Sequence, residues 1–473
     1  MPVWRPAFQA VAPSSLKSGA PDRSASPRIP AMRVLHRRLL IVSAVVLALV
    51  PVAFGIRLLD RMALAYTTGL RRSADSPGFG GVMPPADGPP PGVAFLGFSR
   101  PAEDAPGFVM RRVTAQGREA GLRDGDRVTA VDGVAYSDAR EAMGGLIGTR
   151  IAGETVDLTV MRSGEELTLP LRLSRYVRHP GDLGLPFEEV AVASGSGHTL
   201  RGWWIPPPED SDGRAVVWVH GAHSSRYQAL DHGAEFLHAR GYGILTMDLS
   251  GRGSSDGEYI TYTWNERHDV RSMVRYLRSR PDTDGSRVVV FGTSNGAASA
   301  IYAAAALGDL PALALDAPYA DLWRAAGSML EMRGGIPALR GPLALFVRAR
   351  TGLRIREVRP IEVIADIPGP VLFLHGDRDR QVPPEHSLEL HEARMEAGLP
   401  SRRWILPGGE HGFDAYPLPG IFWNRIADFF DDALGGRPPG RELGGPVPDT
   451  LDDPAWTGND AARGAANGNG SHR

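Results

Sequence analysis

From Phe187 onward the chain alternates short apolar runs with longer stretches of helical pattern, and few folds accept that rhythm. The apolar runs are AVVWV (215–219), YGILTMD (242–248), RVVVF (287–291), ALALD (312–316), PVLFL (370–374) and RWIL (403–406). Most lack the polar–apolar alternation of a half-exposed strand, so both of their faces must be covered. The stretches YQALDHGAEFLHAR, WNERHDVRSMVRYLRSR and NGAASAIYAAAALG can supply the covering helices. A mainly parallel, doubly covered α/β sheet is therefore the expected architecture of residues 187–436.

One turn in this region carries chemistry. VVVFGTSNGAASA (288–300) places Ser294 between a strand and a helix, inside a G-x-S-x-G pattern. Gly292 and Gly296 permit the sharp turn and close helix–strand approach that lift a serine hydroxyl above a sheet. The helix N-terminus beneath it favours developing negative charge. A serine nucleophile also needs a base and a group that orients the base. Two downstream segments begin where strands end: HGDRDRQVP after 370–374 and GGEHGF after 403–406. His411, set among Gly408, Gly409 and Gly412, is the candidate base. Asp379 is the candidate orienting acid, with Asp377 and Asp316 as rivals.

The chain order Ser, Asp, His, together with VHGAHSS (219–225) and MDLSGRGSSDG (247–257), resembles the α/β-hydrolase superfamily over residues 187–436. Within it, the sequence is most similar to the esterase, dienelactone-hydrolase-like and serine-aminopeptidase-like branches. The resemblance implies a G-x-x-D-x-x-V-P acid motif, which here is Gly376–Pro383 and selects Asp379. It also implies an oxyanion hole built from the backbone amides of Ala222 and Asn295. His220 would shape that loop, and Asp248 and Arg252 would shape turns. His220 and His223 lack further ligands at metal-binding spacing, so no metal is assigned, and the serine chemistry requires no cofactor. Residues 318–367 exceed a plain connection and are expected to form a small helical cap. Leu330, Met332, Leu343 and Phe346 are its candidate apolar lining, or else ordinary core.

Residues 93–176 read differently. VAFLGFS, FVMRRV, DRVTAVDGVAY, ETVDLTVMRS and ELTLPLRLS are short strand patterns broken by Gly/Asp turns, with one helical stretch, SDAREAMGGLIG. FLGFS (95–99) and GREAGLRDGDRVTAVDGV (117–134) resemble a bacterial PDZ domain. By that resemblance Phe95, Leu96, Gly97 and Phe98 form a loop whose amides capture a C-terminal carboxylate, and the peptide adds as a strand. A packing domain that binds no peptide is the alternative.

The remaining segments concern location. Leu39 to Ile56 holds 15 apolar residues of 18; as a helix it spans about 27 Å, near the ~30 Å of a bilayer core. Seven Lys/Arg and one acid precede it in residues 1–38. This predicts a signal anchor with a cytoplasmic N-terminus and an extracytoplasmic bulk. Ala63-Leu64-Ala65 offers a cleavage site, but Arg57, Asp60 and Arg61 intervene, so a retained anchor is expected. Met32 opens a better leader than Met1 and is a candidate start. Residues 57–92 include a Pro/Gly-rich linker, and 437–473 has the composition of a disordered tail. The net charge of −2 gives no reason to expect nucleic acid, and the absence of cysteine excludes disulfides, a cysteine nucleophile and a lipoprotein anchor.

Two functional classes follow. The first is a membrane-tethered serine hydrolase cleaving carboxylic esters of small or medium acyl groups, with a peptidase fed by the PDZ-like block as its variant. The second is a non-catalytic scaffold that displays the PDZ-like block.

Overall fold

The computed structural model describes residues 57, 92–93, 97–102, 106–113, 115–136, 142, 150–151, 153–175, 177–332, 337–412, 419–436 and 456–458. The expected anchor at 39–56, the basic N-terminus, nearly all of the linker, Phe95, Leu96 and most of the tail lie outside them. Among the described residues, no helix is long and apolar enough to cross a membrane.

The first sheet is antiparallel and runs β1 (Gly97–Pro101), β2 (Phe108–Val113), β3 (Arg127–Val131), β4 (Thr155–Arg162) and β5 (Glu165–Arg172) in chain order. A short helix, α1 (Ala115–Glu119), follows β2. Alternation along β4 turns Val156, Leu158 and Val160 inward onto Phe108, Val128 and Leu171. The Ala-Gly-Leu-x-x-Gly-Asp segment has a physical purpose. Gly121 and Gly125 take φ of 93° and 92°, which delivers buried Asp126 to three donors. It accepts from the Arg123 amide at 2.8 Å and from Arg162 Nε and Nη2 at 2.8 and 2.7 Å. Burial opposes its ionisation, but the bidentate Arg162 contact outweighs burial and lowers its pKa. Gly92–Val93 pairs antiparallel with Ser174–Arg175, so the two ends of this block meet.

The second sheet contains β6 (Glu188–Ala193), β7 (Thr199–Ile205), β8 (Ala215–Val219), β9 (Gly243–Met247), β10 (Val288–Thr293), β11 (Leu313–Asp316), β12 (Val371–Gly376), β13 (Ser401–Leu406) and β14 (Trp456–Gly458). Their spatial order is 14-13-12-11-10-8-9-7-6. Neighbours from β9 to β13 pair parallel. β6, β7 and β14 add antiparallel, so the sheet is mixed. Composition predicts a structureless tail; instead its residues 456–458 cover the open edge of β13.

Helices cover both faces, as the apolar strands require. Val217, Leu245, Val290 and Phe373 pack one way, against α4 (Glu266–Arg278), α5 (Asn295–Leu307) and α8 (Glu385–Glu396). Trp218, Ile244, Phe291 and Leu374 pack the other way, against α3 (Ala234–Ala239) and α9 (Pro419–Ala433). The pattern YQALDHGAEFLHAR predicts one helix, but Gly233 divides it into α2 (Tyr227–His232) and α3. A Cβ at Gly233 would sit 2.7 Å from the rings of Trp218 and Trp423, so the chain passes here only as glycine. Within 318–367 lie α6 (Leu322–Met332) and α7 (Arg340–Thr351), the helices of the expected cap.

Candidate active site

The site grows from the end of β10. Ser294 leaves the strand with φ 53° and ψ −113°, a left-handed conformation for a residue bearing a Cβ. Such a backbone costs about 1–3 kcal/mol and persists only where the surroundings enforce it. Those surroundings are visible. The Ser294 amide donates to the Asp316 carbonyl at 2.7 Å, and the Ala298 amide donates back to the Ser294 carbonyl at 3.0 Å. A Cβ at Gly296 would lie 2.3 Å from the Val219 carbonyl oxygen, and one at Gly292 would lie 2.9 Å from Ala297. The two glycines therefore let α5 start directly against β8 and β10.

Three strand ends converge on this turn. His411 follows β13, and its Nε2 lies 2.9 Å from Ser294 Oγ. Its Nδ1 lies 2.6 Å from Asp379 Oδ2, in the loop after β12. Asp379 is 3% exposed, and its Oδ1 accepts from the Gln381 and Val382 amides at 2.9 Å each. Burial favours the protonated form, yet the hydrogen bonds from His375 and His411 outweigh it and hold Asp379 well below the usual carboxylate range. An ionised Asp379 can only accept, so His411 Nδ1 carries the proton and Nε2 is free to accept from Ser294. Ser294 is 7% exposed. This arrangement can remove a proton from a serine hydroxyl.

The rival acids sit elsewhere. Asp377 accepts from the Gly408 amide at 2.7 Å and ties the two strand-end loops together. Asp316 is buried beside the loop after His411, where a Cβ on Gly412 would lie 3.9 Å from its Oδ2.

The expected oxyanion donors come from the opposite side. Asn295 is the first residue of α5, where an amide has no carbonyl one turn earlier to bond. Gly221 brings the other loop close: a Cβ there would stand 3.8 Å from Ser294 Cβ. Arg252 holds the next residue by donating to the Ala222 carbonyl from Nε at 2.7 Å and also from Nη2. Fixing that carbonyl fixes the peptide planes around Ala222. Buried His220 accepts from the Leu249 amide at Nε2 (3.1 Å), so its Nδ1 donates to the Gly221 carbonyl (2.7 Å). Burial, working against the attraction of Asp248, pushes His220 down to about 4 and keeps it neutral. Asp248 accepts from the Arg226 and Ser254 amides at 2.9 and 3.0 Å and shapes the turn as expected.

Two features escaped the sequence reading. His375, the last residue but one of β12, places Nε2 3.2 Å from Asp379 Oδ2 and 2.8 Å from the Val382 carbonyl, so a second histidine steadies the acid. Its signal was present as the first letter of HGDRDRQVP. The other is a knot around Asn295. Its Oδ1 accepts from Thr263 Oγ1 (3.2 Å) and Tyr319 Oη (3.1 Å), and Tyr262 and Thr263 both carry positive φ, 41° and 77°. No pattern of letters signals that pair of left-handed residues. Of the expected peptide loop, Gly97 and Phe98 open β1, where the pairing with β2 shifts register. Among the described residues, no cluster of side chains could hold a metal ion.

Residues 228–437 match the family model described as the prolyl oligopeptidase family, and residues 94–173 match the model of the PDZ domain. The chain joins a PDZ domain to an α/β-hydrolase domain. It is similar to the Bacillus subtilis protein YqkD, with 26% identity over 245 residues, 51% of this chain and 78% of that one. It is also similar to the alpha/beta hydrolase domain-containing protein WAV2 of Arabidopsis thaliana, with 27% identity over 271 residues, 56% and 84% of the two chains. A solved esterase structure from Pyrococcus furiosus aligns with a TM-score of 0.45 and 22% identity, over 54% of this chain and 94% of that one. The hydrolase domain is of the serine type.

Proposed function

We propose that the protein is a membrane-tethered serine hydrolase that cleaves carboxylic esters through Ser294, His411 and Asp379. The observation that carries the reading is the continuous relay from Ser294 Oγ through both nitrogens of His411 to Asp379, at 2.9 and 2.6 Å. As Ser294 Oγ attacks the acyl carbon, its proton passes to His411 Nε2 and a tetrahedral oxyanion forms between the Ala222 and Asn295 amides. Each such donor contributes roughly 3–4 kcal/mol in related chemistry. His411 then returns the proton to the leaving alkoxide. Water, deprotonated by His411, attacks the acyl-enzyme and releases the acid and Ser294. Asp379 stays ionised and holds the imidazole in place.

A small or medium apolar acyl group draws support from the cap. Between α6 and α7 lies a cavity lined by Met329, Leu330, Leu343, Val347 and Ile355, with Arg340 as its charged neighbour. Met332, by contrast, is 44% exposed and is not among the residues that line this cavity. The prolyl oligopeptidase match favours a second reading, a peptidase. In it, β1, which lies at the edge of its sheet, accepts a C-terminal peptide as an added strand. Tethering rests on the Leu39–Ile56 run in the sequence.

The full chain, assayed on nitrophenyl esters of graded chain length and on matched peptide amides, separates the two readings. Faster ester turnover is expected. Amide turnover that exceeds it and needs a free peptide C-terminus would establish the peptidase. Resistance of the membrane-bound protein to alkaline extraction tests the tether.

A further inference from the structure

The turn before α4 is strained in a place where its residue types make strain costly. Tyr262 and Thr263 follow one another with φ of 41° and 77°. For a β-branched residue this is an outlier that the surroundings must enforce. Glu266, the first residue of α4 and fully buried, supplies the enforcement. It accepts from the Thr261 amide at 2.6 Å and from Thr261 Oγ1 at 2.9 Å. On the other side of the turn, the Arg267 amide donates to the Thr263 carbonyl at 3.2 Å. The turn delivers one group, the Thr263 hydroxyl, to the first turn of α5.

There it meets Tyr319, which follows β11 at the start of the cap segment. Thr263 Oγ1 lies 2.6 Å from Tyr319 Oη. Burial pushes the Tyr319 phenol well above its ordinary value, so it stays protonated and can donate. Both hydroxyls reach Asn295 Oδ1, at 3.2 and 3.1 Å. Asn295 Nδ2 is buried with no hydrogen-bond partner among the described residues, so these two hydroxyls are the polar hold on the side chain. Ser299 Oγ donates to the Asn295 carbonyl at 2.7 Å and lies 3.2 Å from Thr263 Oγ1.

The peptide between Ser294 and Asn295 is thereby held at both ends. The Ala298 amide holds its oxygen, the Ser294 carbonyl, at 3.0 Å. The hydroxyls hold the Asn295 end, through the side chain and carbonyl of that residue. The N–H of this peptide is the expected oxyanion donor. Such a donor is most effective when it is aimed before the charge develops.

We propose that Thr263 and Tyr319 are positioning residues that aim the Asn295 amide at the oxyanion without touching the substrate. The proposal rests on the serine-hydrolase reading, for ester and peptide substrates alike. A purely architectural knot would join the turn, α5 and the cap segment and have no bearing on developing charge.

The full chain is compared with its Tyr319→Phe, Thr263→Val and doubly substituted variants, with competent sites counted by the endpoint of fluorophosphonate labelling. Each single variant should lower kcat on a nitrophenyl ester by ~tenfold at nearly constant KM, and the double variant by up to ~10²-fold, the scale of a misplaced group. Thr263→Ser keeps the hydroxyl and should keep parental turnover. Each single variant removes a different donor, so either decides the matter where the other does not fold.

Inhibitor affinity separates aim from architecture. Ser294 Oγ adds to the carbonyl carbon of an aryl trifluoromethyl ketone, its proton passes to His411, and the carbonyl oxygen becomes an oxyanion. The matching trifluoromethyl carbinol cannot form that adduct. Inhibition by the ketone should weaken in step with kcat, while inhibition by the carbinol stays constant. Variants that bind both compounds as the parent does, even with a lowered melting temperature, would overturn the proposal. So would an equal loss for both compounds, which would mark a deformed pocket. A parent chain that takes up neither ketone nor phosphonate would contradict the nucleophile itself, and the proposal with it.

Discussion

The Ser294 turn and the start of β1 are both candidate binding places, yet they are built from different material. At Ser294 the nucleophile, base and acid are side chains, delivered by the carboxyl ends of β10, β12 and β13 and held at hydrogen-bond distance from one another. At β1 the expected working groups are backbone amides and a strand edge that is open among the described residues. The first site is written in residue types at strand ends. The second depends on how the chain turns, and many sequences turn alike. A side-chain site should therefore fail abruptly when one protein residue changes, whereas a backbone site should respond most to a change in its ligand.

That contrast can be broken in graded steps. Ser294→Ala and His411→Ala should each lower kcat by roughly 10⁴- to 10⁶-fold in a steady-state ester assay, with the unfolding midpoint little changed. Asp379→Asn should cost about 10⁴-fold, because the wrong imidazole tautomer then faces Ser294. Arg252→Ala frees the Ala222 carbonyl and should lower kcat by up to ~10²-fold with little change in KM, as expected for a misplaced donor. For the PDZ domain the decisive change lies in the ligand. Amidating the C-terminus of a bound peptide should weaken it by ~tenfold or more in a fluorescence titration, through loss of a charge-assisted contact.

The smallest effect concerns stability. His220 titrates near 4 in the folded protein, below its ordinary value near 6.5, because it is buried. The unfolded chain therefore binds an extra proton between those values, and stability is lost as pH falls from about 6.5 towards 4. Thermal melts of His220→Gln should show a shallower loss across that window than the parent chain.

Much of the hydrolase domain was legible because its constraints are local. An apolar run of four or five residues between turns has few alternatives to a covered strand, and AVVWV became β8 without a change of boundary. Ser294, His411 and Asp379 were legible because each follows such a run. The flanking strands β6 and β7 were not picked out: β6 is mostly exposed, and β7 runs from a mixed start into four consecutive buried residues, Gly202–Ile205, so neither shows a clean period of two. Gly233 divides a helix for a reason 190 residues away, the ring of Trp423, which no local pattern can express. The grip of Arg252 on Ala222 likewise joins segments 30 residues apart. His375 lay in a quoted motif, but its role needed the Asp379 loop to curl back over β12.

The central claim is that Ser294 is an activated nucleophile, and a fluorophosphonate probe reads that property without knowledge of the substrate. The full chain should gain one phosphonyl adduct by intact mass, mapped to the peptide containing Ser294, absent in Ser294→Ala and strongly slowed in His411→Ala. An adduct that survives Ser294→Ala, or a folded protein that takes up no probe, would contradict the account.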